Sequence, residues 1–321
     1  MHQPLRLILD RAALQSNWRW LAGHAGTSAG AAIKADGYGV GALDTFEALI
    51  DAGCRDFFVS TWWEAEQLAD VPAEVSLVVL HGPGPDDKPA NARPTLNSPE
   101  QVARWKQIGT GRPCDVMIDT GMNRLGLRPE EAGCLDGLTI DTLHSHLACA
   151  DEDHPLNAQQ LERFRAAASS IPAKRYSLAN SAGVCLGKDY SFDLVRPGLA
   201  LYGGLARAEA VGHIRQVARL EAQIVQRRQV KAGESCGYGA TFTADRELDA
   251  LIVNIGYADG YFRGFSSKGT ARAGDKVLPL LGRVSMDLLI FDSAGAELAE
   301  GDWVEIDYNL PAAAEKSGMK I

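Results

Sequence analysis

From residue 10 to about residue 200, short apolar runs alternate with helix-like segments or with loops rich in Gly and Asn. The runs are "GAAIKA", "DFFVS", "SLVVL", "RPTLN", "CDVMIDT", "TLHSH", "RYSLA" and "FDLVR". Apolar strands joined by crossover helices belong to parallel sheets, and eight within some two hundred residues predict a closed (β/α)8 barrel rather than an open sheet. Helix starts are marked between the runs. Asp10 precedes an apolar face of Leu14, Trp18 and Leu21, and Asp44 pairs with Glu47 in a helix ending at Gly53. Thr61 pairs with Glu64, Ser98 is followed by Pro99 and Gln101, and Leu161, Phe164 and Ala168 share a later face. A polar cap with an acid or amide three residues on satisfies the orphan amides of a first turn. After about residue 213 the pattern becomes strand-like: "RLEAQIVQRRQV", "DALIVNIGY", "DKVLPLLGRV", "MDLLIFD" and "DWVEID". The predicted fold class is therefore α/β: a TIM-type barrel over 1–212 and a mainly-β domain over 213–321, with residues 1–9 assigned to pair with the latter.

The formal net charge of −9 argues against nucleic acid or an anionic membrane as partner, while leaving room for a small anion at a local positive site. The six cysteines (Cys54, Cys114, Cys134, Cys149, Cys185, Cys236) form no CxxC pair and read as reduced packing thiols. "MHQPLRLILD" is too short an apolar run for a signal peptide, no stretch is long enough to span a bilayer, and the expected location is the cytoplasm. No metal site is expected.

Active sites of such barrels lie at the carboxyl ends of the strands, and phosphate is often held by the loops after strands 7 and 8. Those loops are "SLANSAG" and "VRPGLALYGG", in which Asn180, Ser181, Gly183 and Gly198 offer polar groups and closely approachable amides to an anion. Strand 1 closes on strand 8, so Lys34, placed at the end of an apolar run before "DGYGVG", borders the same corner as Arg196. A lone lysine is more often a solvated surface charge. Here an apolar flank makes the amine easier to deprotonate, and an amine beside an anion cradle suits pyridoxal 5'-phosphate (PLP).

Eight motifs, in order along nearly the whole chain, resemble the alanine racemases: "AAIKADGYGVGA", "IDTGMNRLG", "SHLACADEDHP", "LANSAG", "VRPGLALYG", "CGYGATF", "GYADGY" and "GRVSMD". The resemblance implies a PLP enzyme acting on alanine, with a barrel, a β domain and a head-to-tail homodimer sharing its active sites. It implies that Lys34 holds the cofactor and serves as one base, and that Tyr238, supplied by the partner subunit, is the other. A free phenol titrates near 10, so such a base needs help from its neighbours. By the same resemblance Tyr38, Asn180, Ser181, Gly198 and Leu199 hold the cofactor, Arg196 faces the pyridine nitrogen, and His146 hydrogen-bonds that arginine. Arg124 binds the substrate carboxylate, Met286 (through its backbone amide) and Asp287 reach the substrate pocket from the partner subunit, and Asp151, Tyr257, Arg263 and Arg283 line an access channel. A guanidinium does not readily release its proton, which weakens the ring as an electron sink and favours racemisation over transamination.

Two places depart from the pattern. Met117 stands where many members carry a carbamylated lysine, so Arg124 is expected to be oriented by a chloride ion or a rearranged network. The chain ends in "NLPAAAEKSGMKI", where Pro311 and the alanines read as the start of a helix, before the final strand whose tyrosine reaches the cofactor phosphate in relatives. A truncated second domain and weaker cofactor retention are the expectation. The rival readings are a racemase of broader specificity, a PLP-dependent decarboxylase on this fold, which would carry an acid in place of Arg196, and a non-catalytic PLP-binding barrel.

Overall fold

All eight runs form strands: 28–32, broken at Gly30, then Asp56–Val59, Ser76–Val79, Arg93–Leu96, Cys114–Met117, Ile140–His144, Arg175–Ser177 and Leu194–Val195. The computed structural model describes residues 3–68, 70–87 and 92–308. These fall into two units, 11–217 and 1–10 with 218–321. In the first unit neighbouring strands pair in parallel from 31–32 through Arg175–Ser177. Leu194–Val195 pairs in parallel with Ser28–Ala29, and Gly30 and Ala32 donate their amides to Val195 O and Pro197 O. Asp193 N donates to Tyr176 O and Arg196 N to Ala179 O, so the barrel closes.

The helices bury the side chains that the barrel needs covered. Val102, Trp105, Leu161 and Phe164 pack with Val116 and Leu143 of the strands, and with Leu178 just past one, in one core. Thr61 and Glu64 form the expected capping box, and Ser98 accepts from Gln101 N at 3.3 Å ahead of Pro99. The box expected at Asp44 and Glu47 is absent. That helix, Ala42–Ala52, starts from Gly41 with no side-chain cap on it, because Asp36 Oδ1 accepts from Ala42 N at 2.8 Å and takes over the work. Glu47 instead pairs with Arg11 at 3.3 Å. Ala167, rather than Ala168, continues the buried face of the helix Pro155–Ser170.

Ion pairs linked from strand to strand fill the barrel at the end where most of the strands begin. Arg175 binds Asp56 at 2.8 and 3.0 Å and Asp141 at 2.9 Å, Arg93 joins Asp141 at 3.1 Å to Asp115 at 2.6 Å, and Asp115 reaches His144 Nε2 at 2.7 Å. Buried charges persist only when paired in this way. His144 Nδ1 has no partner among the described residues, which fits a neutral ring donating from Nε2; burial pushes its pKa down to about 4.

The first unit continues past the boundary expected at 212 to Val217, because Asn17 of the helix Arg11–Ala25 grips it: its Nδ2 donates to Arg215 O and its Oδ1 accepts from Arg215 N, both at 2.8 Å. The second unit is an antiparallel sheet with strands in the order Lys276–Pro279, Thr270–Ala273, Trp303–Ile306, Ala218–Val230, Leu248–Val253 and Leu289–Asp292. Leu5–Leu9 pairs antiparallel with the start of Ala218–Val230, Leu5 opposite Ala222. Ile224, Leu251, Phe265, Phe291 and Val304 lie in its core. The expected helix at Pro311 falls outside the described residues. Among those described, no helix is long and apolar enough to cross a membrane.

Candidate active site

Lys34 lies just past the first barrel strand, separated from it by Ile33, and opens an unusual turn. Ala35, Asp36, Gly37 and Tyr38 have φ of 53°, 52°, 62° and 56°, one turn of left-handed helix. Such a turn costs a non-glycine residue about 1–2 kcal/mol, so contacts must hold it. Its consequence is to bring Tyr38 back onto the barrel mouth beside Lys34. There the Tyr38 ring stacks on Tyr202 at 4.6 Å, and Tyr202 donates its phenol to Ala32 O at 2.9 Å. Sequence reasoning missed Tyr202, although it stands inside the quoted "VRPGLALYG".

The loops after strands 7 and 8 meet at Ser181. Its hydroxyl accepts from Gly198 N at 3.0 Å and from Ala200 N at 3.1 Å. With both lone pairs used, the O–H remains to donate. Gly198 is required by space: a Cβ there would lie 2.2 Å from Tyr38 Oη and 3.3 Å from Ala32 Cβ. Hydroxyl, phenol and closely approachable backbone thus converge, as a phosphate requires. Leu199, 40% exposed, continues the rim. Asn180 and Gly183 are engaged otherwise than expected: Asn180 Oδ1 caps the short helix Ser181–Cys185 by accepting from Gly183 N at 2.9 Å, and Gly183 has no room for a side chain against Leu147.

Arg196 is buried and donates to Ser177 Oγ and to Ser145 O. These partners replace the expected bond to His146, and neither serine carried a signal in the sequence. Ser177 in turn donates to Leu194 O, which anchors the guanidinium to the barrel wall. Burial lowers the Arg196 pKa to about 10, opposed by the charge of Asp115, so the group stays protonated at neutral pH. His146 takes no part in that anchor. Burial first, then the charges of Arg196, Arg124 and Lys34, push its pKa down to about 3. Burial and neighbouring positive charge thus keep this imidazole neutral. Burial and then Arg124 also lower the Lys34 pKa, with Glu64 opposing.

Arg124 is exposed on a turn held by Asp119, whose Oδ1 accepts from Gly121 N at 2.8 Å and Met122 N at 2.9 Å. Met117 is buried, and its Cγ would lie 3.0 Å from a Cβ on Gly126 at the end of that turn, so apolar packing supports the turn where a carbamate was absent by sequence. Asp151 is exposed beside Ala150, whose carbonyl accepts from Arg207 at 3.1 Å.

In the second unit the remaining residues gather on adjoining turns. Tyr238, 71% exposed, sits between Gly237 and Gly239, and a Cβ on Gly239 would meet the Arg283 guanidinium at 3.2 Å. Tyr257 N donates to Ser285 O at 3.0 Å and Ala258 N to Met286 O at 2.8 Å. Arg263 lies over the Tyr257 ring at 5.8 Å. Met286 and Asp287 are exposed at the same turn.

The first unit fits PLP by the space test at Gly198 and by its donors. Insertion of a methyl there, in Gly198→Ala, is expected to displace Tyr38, which the stack on Tyr202 prevents from yielding freely. Overpacking of that kind costs about 1–3 kcal/mol, so the Kd of the cofactor-free protein for PLP should rise roughly tenfold to a hundredfold in equilibrium dialysis. An unchanged Kd would remove Gly198 from the cradle.

Residues 9–206 match the family model for the alanine racemase N-terminal domain, and residues 217–316 that for the C-terminal domain. The chain is 42% identical over 308 residues to an alanine racemase of Rhodospirillum rubrum, covering 89% of this chain and 82% of the relative. It is 39% identical over 334 residues to the biosynthetic alanine racemase of Agrobacterium fabrum, covering 94% and 85%. Its structure resembles that of the alanine racemase of Bartonella henselae with covalently bound pyridoxal phosphate, with a TM-score of 0.86, 34% identity, and coverage of 99% and 95%.

Proposed function

The chain belongs to the alanine racemase family, and from that premise we propose that Lys34 and Tyr238 are its two bases, working on opposite faces of the substrate's Cα. It is a PLP-dependent isomerase that interconverts L- and D-alanine. When bound, PLP supplies an electron-accepting ring that acidifies the Cα–H. The convergence of Lys34, Arg196 and the Ser181–Gly198–Tyr38 cradle on one barrel mouth is the observation that carries the reading.

Lys34 attaches the cofactor, for which its amine must be neutral, and burial favours that form. Ser181, Tyr38, Gly198 and Leu199 hold the phosphate, and Asn180 fixes Ser181 by capping the helix it begins. Arg196 would offer donors to the pyridine nitrogen of bound PLP and, staying protonated, would yield no proton to it, which favours return of the proton to Cα. His146, neutral over the working range, keeps Arg196 and Lys34 company without adding charge. Arg124 receives the substrate carboxylate, a task for planar paired donors, with Met286 and Asp287 supplied by the partner subunit, while Asp151, Tyr257, Arg263 and Arg283 belong to the approach.

Tyr238, Met286 and Tyr257 expose large apolar surface together, as interaction sites do. We assign that surface to a homodimer in which each subunit's Tyr238 enters the other's barrel mouth. The place is the cytoplasm, and the role is D-alanine supply for peptidoglycan.

Mixing inactive variants tests the shared site. Unfolded and refolded together in equal amounts, Lys34→Ala and Tyr238→Phe chains form mixed dimers with one doubly damaged and one intact site. Random pairing should restore about a quarter of wild-type D-alanine formation in a coupled assay, whereas sites confined to one subunit would restore none.

A further inference from the structure

The left-handed turn after Lys34 places three residues with side chains where L-amino acids rarely go, and a carboxylate ties its start to the end of the second barrel strand. Glu64 Oε1 accepts from Ala35 N at 2.9 Å, while Oε2 accepts from Ser60 N at 2.5 Å and Thr61 N at 3.3 Å. Ser60 directly follows the second barrel strand, Asp56–Val59. Glu64 is itself fixed, because its own amide donates to Thr61 Oγ1 at 3.2 Å in the capping box. The carboxylate of an ordinary capping box serves its own helix. This one reaches beyond it to the peptide that joins Lys34 to the turn.

We infer that Glu64 is a positioning residue for Lys34: it locks the Lys34–Ala35 peptide at the start of the left-handed turn and sets a negative charge against the amine. The inference rests on Lys34 being the attachment lysine. The charged and titratable groups bearing on that amine are Glu64, Arg124 and His146. Arg124 adds to burial in disfavouring the ammonium form, His146 is neutral, and Glu64 favours it. Glu64 thus holds the amine in place while opposing its deprotonation. Removal of the charge with one acceptor kept and removal of the whole anchor therefore differ in their effect on cofactor attachment.

The test compares Glu64→Gln, which loses the charge and keeps one acceptor oxygen, with Glu64→Ala, which loses both. In cofactor-free protein, the modification of Lys34 by acetic anhydride is followed against pH by peptide mass spectrometry. Both variants should shift this profile to lower pH, so that modification at neutral pH speeds up severalfold. PLP attachment, followed by absorbance, should also be faster in Glu64→Gln, but in Glu64→Ala at least about tenfold slower than in Glu64→Gln, since a misplaced group loses rate regardless of its protonation. Superimposable modification profiles in wild type and both variants would overturn the inference, as would equal attachment rates in the two variants. PLP found on a different lysine in the wild-type protein would instead defeat the reading of Lys34. The acetic anhydride profile, which needs no cofactor, would still decide what Glu64 does.

Discussion

Lys34→Ala is expected to lose racemase activity by at least about a thousandfold, because one side chain carries two functions. A positioned general base is worth about a hundred- to ten-thousandfold, and covalent attachment of the cofactor is lost with it. The fold should survive. Lys34 lies at the mouth, beyond the strand hydrogen bonds, and its ammonium is not among the ion pairs that fill the barrel's opposite end. The cofactor-free variant should therefore melt close to cofactor-free wild type, while the absorbance of the attached cofactor disappears and dialysis strips PLP from the protein. Retained turnover would refute the assignment.

Tyr238→Phe is expected to separate the two bases. Racemisation should fall about a hundred- to ten-thousandfold in both directions, since each direction needs one base to remove the proton and the other to return it. The cofactor should stay attached and its spectrum should be little changed. Exchange of the Cα proton with deuterium oxide distinguishes this from general damage. Lys34 alone can still remove and return a proton on its own face, so one enantiomer should continue to exchange and the other should not. Equal loss of exchange for both enantiomers, or for neither, would contradict a two-base arrangement. Because Tyr238 is mostly exposed at a turn between two glycines, removal of its hydroxyl should leave the stability of its own unit unaltered.

The barrel was legible because its strands are apolar on both faces and its helices announce their starts; even the brief "RPTLN" and "TLHSH" runs form strands. What could not be read was the conformation of "KADGYG". Ala35, Asp36 and Tyr38 adopt left-handed backbone that their residue types do not announce, held by a carboxylate from Glu64, distant in sequence. The capping box at Asp44 failed for the same reason, as the turn delivers Asp36 to the helix start instead. The partners of Arg196 were equally hidden. A serine hydroxyl and a main-chain carbonyl leave no pattern in a sequence, while His146 is conspicuous and sits close enough to be chosen in their place. The strand Thr270–Ala273 was missed because its composition, small and basic residues next to a glycine turn, carries little strand signal.

Borohydride reduction of the purified holoprotein, followed by proteolysis and peptide mass mapping, tests the central claim most directly. A stable pyridoxyl adduct on the peptide containing Lys34 is the predicted result. An adduct on any other lysine, or a protein that takes up no adduct, would contradict it.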